Sequence, residues 1–130
     1  MPDYVADTHS LLWHLTRSER LSPRAARAFD EVSAGIANLI VPVIVLAELV
    51  FALEKGRVRV DWSGLLGDLQ SIPNVHIVDL SLARILDLRS LTTIPEMHDR
   101  MIVAETLAHN AILITRDQAI TASGVVPVLW

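Results

Sequence analysis

Short apolar runs alternate along the whole chain with longer stretches of helical period, and that alternation restricts the fold more than any other feature of the sequence. Runs at residues 4–6, 39–41, 75–78, 111–115 and 125–129 are brief and mostly apolar, as buried strands are. Between them, apolar residues recur three and four positions apart. Residues 10–15 open one helix. Ser22-Pro23 supplies an N-cap and first-turn pair for a second, which ends near Gly35. Residues 43–53 are nearly all apolar and break at Lys55-Gly56, which predicts a buried helix with a glycine C-cap. Trp62, Leu65, Leu66 and Leu69 mark another helix, ended by Pro73. Residues 82–91 and 96–109 continue the pattern, and a short helix runs from Asp117 to Gly124. Strands separated by helices pair in parallel, and a parallel sheet needs cover on both faces. The expected class is therefore α/β: a parallel β-sheet of about four to five strands sandwiched between helices.

At 130 residues the chain suits one domain. No apolar stretch approaches the roughly 20 residues that cross a bilayer, and residues 1–7 carry Asp3 and no basic segment, so a cytoplasmic protein without a membrane span is expected. The absence of cysteine excludes thiolate metal sites, leaving oxygen and imidazole ligands and favouring hard cations. A formal charge of −4 argues against a broadly basic nucleic-acid surface. Arg17, Arg20, Arg24 and Arg27 form one basic group and Lys55, Arg57 and Arg59 another; each reads first as a solvated face.

In a parallel sheet, ligands bind beyond the carboxyl ends of the strands. Asp7 closes the first strand and Asp117 follows the fourth, so both reach that edge, although an Asp between strand and helix commonly serves as an N-cap. Glu48 has Ile44, Val45, Phe51 and Ala52 three and four positions away, which puts its carboxylate on an apolar face. A buried carboxylate needs a partner, either an arginine or a metal. Asp99 stands likewise near Ile102 and Val103, with helix capping as its simpler explanation. Gathered at one place, such acids repel one another unless a cation lies among them, and Mg²⁺ or Mn²⁺ suits an all-oxygen set.

The segment Val5-Ala6-Asp7-Thr8-His9-Ser10-Leu11-Leu12-Trp13, the Glu48 of Leu46-Ala47-Glu48-Leu49, the run His98 to Ala104 and Leu113-Ile114-Thr115-Arg116-Asp117 together resemble PIN-domain nucleases, and more narrowly the VapC-type toxins of bacterial toxin–antitoxin pairs. The resemblance spans essentially the whole chain, read as one PIN-like domain over residues 1–130. It implies a Mg²⁺- or Mn²⁺-dependent endoribonuclease with an RNA substrate, a homodimer and a cognate antitoxin. Carried over by position, Asp7, Glu48, Asp99 and Asp117 match the family's catalytic, metal-binding acids, and Thr115 its small hydroxyl residue. Where some members carry a further acid after the fourth, Gln118, Ala119, Ile120 and Thr121 supply none, so one metal or two stays open.

Within that resemblance, metal-assisted hydrolysis is the expected chemistry, with Asp7 and Asp99 as first choices for direct ligands, Glu48 binding metal or orienting its water, and Asp117 acting through water or completing a second site. Thr8 and Thr115 could support the carboxylates from behind or satisfy backbone. Arg100 and Arg116, beside two of the acids, read first as surface residues and second as phosphate contacts. The five histidines lack zinc-site spacing, and Trp13, Trp62 and Trp130 read as core or interface rather than base-stacking platforms. Two rivals stand. Another Mg²⁺-dependent phosphoryl hydrolase would use Asp7 as nucleophile, but His9 occupies the place of its usual second Asp. A catalytically silent binding module would hold its acids in ion pairs.

Overall fold

The strands Asp3–Ala6 (β1), Asn38–Pro42 (β2), Val75–Val78 (β3), Ile112–Ile114 (β4) and Val128–Leu129 (β5) lie side by side in the order β3-β2-β1-β4-β5, and all their pairings are parallel. Seven α-helices accompany them among the described residues: α1 (Thr8–Leu15), α2 (Pro23–Ser33), α3 (Val43–Lys55), α4 (Trp62–Ser71), α5 (Leu82–Asp87), α6 (Met97–Ala108) and α7 (Gln118–Ser123). The structure is a computed structural model describing residues 1–56 and 60–130, so Arg57 and Arg59 of the second basic group lie outside the described residues. The α/β class and parallel sheet expected from the alternation are both present.

Strand order determines where a ligand can enter. From β1 the chain steps outward to β2 and β3, then returns to the opposite side of β1 for β4 and β5. Crossovers of one hand that step in opposite directions leave β1 and β4 toward opposite faces, which opens a crevice at their carboxyl ends. Register fixes the lip of that crevice, because Ala6 pairs with Ile114 and Ile114 with Leu129. The strands can hold this central position because Val5, Ala6, Val41, Leu113 and Ile114 are wholly buried, as strands covered on both faces must be. Each fully buried Val or Leu contributes about 1.5–3 kcal/mol.

Three expectations change in detail. Helix α3 is not buried throughout: Val45, Leu46 and Leu49 face the core, whereas Phe51 is 63% exposed. A helix laid on one face of a sheet keeps an outer side, and here that side is apolar too. Its C-cap, Gly56, is extended at φ −76, so α3 ends without the left-handed glycine turn, which appears instead at Gly124 after α7 (φ 64). The helix expected over 82–91 shortens to α5 and tightens into a 3₁₀ turn at Leu88–Ser90. Arg100 braces this stretch from α6, donating from Nε to the Ile94 carbonyl at 2.5 Å and from Nη1 to that of Leu88 at 3.3 Å. The last strand contracts to Val128–Leu129, since Pro127 has no N–H and joins the ladder only as acceptor from Leu113.

Candidate active site

Asp7 stands where β1 ends, its N–H donating to the Ile114 carbonyl of β4. Its Oδ1 accepts the Ser10 N–H at 2.9 Å, which caps α1, and its Oδ2 accepts the Thr115 hydroxyl. The same Thr115 oxygen accepts the Asp117 N–H at 3.0 Å, so one buried hydroxyl orients the acids that follow β1 and β4. Asp117 in turn caps α7 through Oδ1, which accepts the Ile120 N–H at 2.9 Å. Capping and presence at the crevice are thus compatible: both acids cap helices, and both lie where the strand order reverses. Ser10, not singled out in the sequence, reinforces the junction by donating its hydroxyl to the Ile114 carbonyl at 2.9 Å.

Glu48 reaches this edge from α3, which packs against both α1 and α6. Its Oε1 accepts the Thr8 hydroxyl at 2.8 Å, and no arginine or lysine bridges it among the described residues. Its side chain is half-buried rather than enclosed, because the exposed Phe51 shares its face. Asp99 occupies the first turn of α6, yet it does not cap that helix. Glu96 does, accepting the Asp99 N–H at 2.7 Å while its other oxygen holds His98 Nδ1 at 2.6 Å. Glutamate is an unusual N-cap, and so the sequence pointed to Asp99 instead.

Electrostatics tie the four acids together. Desolvation, followed by the charges of Asp117, Glu96, Glu48 and Asp7, pushes the Asp99 carboxyl up to about 6 from an ordinary 3.8. Three of those four neighbours are the other candidate acids, and none of the groups acting on Asp99 is a cation. Burial alone would raise Glu96, but hydrogen bonds from the His98 and Asp99 backbone and from the His98 ring outweigh it, and its pKa falls.

Among the described residues, no three His, Asp or Glu side chains already converge into a cage for an ion. Mg²⁺ does not need one, since it keeps several waters and takes one or two protein carboxylates. The donors fit such an ion: they are oxygens, three of them act by their charge on Asp99, and among the described residues none of the four is in a salt bridge. Three of the five histidines have partners of their own, and the other two are exposed. His14 stacks on Phe29 at 4.1 Å with its pKa lowered by burial, His98 and His109 pair with Glu96 and Glu105, and His9 and His76 are exposed.

Compared with known families, residues 4–123 match the PIN domain. The chain belongs to the PIN domain family. Members of this family are generally nucleases. No curated protein matches this PIN-domain chain in sequence. Solved structures match it in fold. The VapBC2 complex of Rickettsia felis, solved on a DNA fragment from its promoter, has TM-score 0.73 at 19% identity, covering 97% of this chain and 96% of that one. FitAcB from Neisseria gonorrhoeae gives 0.68 at 16%, covering 96% and 95%. A toxin–antitoxin complex from Klebsiella pneumoniae gives 0.66 at 18%, covering 95% and 94%.

Proposed function

We propose that this PIN domain, acting as one unit over residues 1–130, is a Mg²⁺- or Mn²⁺-dependent endoribonuclease and the toxin of a VapC-type toxin–antitoxin pair. One observation carries the reading: Asp99 is coupled to Asp7, Glu48 and Asp117 at the switch point of the sheet, and no cation is among the groups acting on it. Asp7 and Asp99 would hold the metal directly, with Glu48 and Asp117 binding it or its waters, and Thr8 and Thr115 steadying the carboxylates. When bound, the metal supplies an activated water and offsets charge on the phosphodiester oxygens and the departing 3′ oxygen. The chain's own part is to hold four acids at fixed positions and to present an open crevice to a single strand.

Two details favour this over the rivals. A phosphoryl hydrolase with Asp7 as nucleophile would carry a second Asp two residues on, whereas His9 stands there and its side chain is exposed. A silent binding module would neutralise its acids in ion pairs, and none of the four forms one among the described residues. For partners, the related complexes suggest an antitoxin, and the apolar groove between α1, α3 and α4, lined by Leu12, Leu15, Leu49, Leu53, Val60 and Leu65, suits an amphipathic segment of one. The exposed apolar side of α5, with Leu82, Ile85 and Leu86, suits a self-complementary homodimer contact. No helix among the described residues is long and apolar enough to cross a membrane, and we assign the activity to the cytoplasm, where its RNA substrate would be.

Asp99→Asn preserves size and removes the charge. We expect it to reduce Mg²⁺- or Mn²⁺-dependent cleavage of a single-stranded oligoribonucleotide at least a hundredfold, on the scale of about 3 kcal/mol of lost transition-state stabilisation, and to weaken Mn²⁺ uptake in titration calorimetry. Undiminished cleavage by that variant would refute the assignment. A short antitoxin-like reading frame immediately upstream would support the toxin role.

A further inference from the structure

Beside the acids lies a cation that the proposed hydrolysis does not use. Arg116 falls between Thr115 and Asp117, on the loop that leaves β4 at the crevice. Its exposed guanidinium sits over the ring of Trp13, 5.1 Å from the centroid, and among the described residues it makes no salt bridge and donates no side-chain hydrogen bond. Arg100, the other arginine adjacent to a candidate acid, is committed to the Ile94 and Leu88 carbonyls. Trp13 makes a firm platform: it is only 9% exposed, and the Trp130 and His9 rings lie 5.7 and 5.5 Å from it.

This placement has a chemical use. Trp13 follows the α1 cap Asp7 by six residues, roughly 9 Å along a helix axis at 1.5 Å per residue, and helical side chains lean back toward the N-terminus. The guanidinium is held on the Trp13 ring and on no carboxylate among the described residues, and it is not among the groups acting on Asp99. A guanidinium held by a ring face keeps N–H groups free for a phosphate, which an arginine bound to a carboxylate does not. A chain of net charge −4 also needs a local cation to draw a polyanion toward an acidic crevice.

We infer that Arg116, steadied on Trp13, is a substrate-positioning residue that takes a backbone phosphate flanking the scissile one. The inference rests on the nuclease reading and extends it from the acids to the path of the strand. Its test is steady-state cleavage of a fluorescent single-stranded oligoribonucleotide with Mn²⁺ across a salt series. Arg116→Gln should raise KM roughly tenfold, the scale of one lost charge-assisted contact, while kcat stays within about twofold. The slope of log(1/KM) against log salt should fall by about 0.7, one phosphate's worth on a single strand. Arg116→Lys should restore the slope but not the full affinity, and Trp13→Leu should raise KM while leaving the slope in place. An Arg116→Gln enzyme with wild-type KM and slope, or with only a lowered melting temperature, overturns the inference and leaves the nuclease reading standing. A wild-type protein that neither cleaves nor binds the oligonucleotide removes both.

Discussion

At the scale of single residues, Asp99 holds most of the information about the site. Its carboxyl titrates near 6 in the fold and near 3.8 in an open chain, so between those values the native state binds the proton more tightly than the unfolded state does. Stability without metal therefore falls as pH rises from about 4 to about 6 and levels off above. Because the side chain is only half-buried, solvent screening reduces the effect to about 1 kcal/mol. Asp99→Asn has no such proton to lose, and its melting temperature in EDTA should draw ahead of wild type across that window. Curves that remain parallel from pH 4 to 7 would mean that the acids do not press on Asp99 as described. The sequence exposed this residue through its apolar helical neighbours, Ile102 and Val103. It concealed Glu96, whose role as cap and as a further negative charge follows from side-chain direction, which spacing alone does not specify.

At the scale of elements, helix starts and site acids coincide, and that overlap explains why each acid looked ordinary in isolation. Asp7 begins α1 and Asp117 begins α7, each using one oxygen as a cap. Substitutions can separate the two duties. Asparagine caps about as well as aspartate, whereas alanine does not. Asp7→Asn should therefore keep nearly full stability and lose metal-dependent cleavage, while Asp7→Ala should lose cleavage and a further ~1 kcal/mol by denaturant titration. Equal stability losses in the two variants would mean that the charge, not the cap, supports α1. Strand and helix identities were legible because their apolar periods differ. The ends of α5 and β5 were not: past α5 the chain tightens into a 3₁₀ turn whose Leu88 carbonyl also meets Arg100 from distant α6, and at β5 Pro127 lacks a donor at the sheet edge.

For the whole molecule, the outer apolar surface is the part least expected from the sequence. Periodicity says that a side chain is apolar, not whether its own chain covers it, and so Phe51 on α3 and Leu82 and Leu86 on α5, 74% and 70% exposed, went unanticipated. If α5 pairs with its copy, Leu86→Glu should yield a monomer by sedimentation with an unaltered melting transition; a dimer that persists would move the contact elsewhere. Strand order, too, is invisible in a periodic pattern, and here it carries a consequence in time. β1 sits between β2, formed early in the chain, and β4, which begins only at Ile112. A nascent or clipped chain ending before that point already contains Asp7, Glu48 and Asp99, yet one flank of β1 stays open and Thr115 is not there to hold Asp7. If these acids form the proposed nuclease site, that site closes only once synthesis has passed the fourth strand.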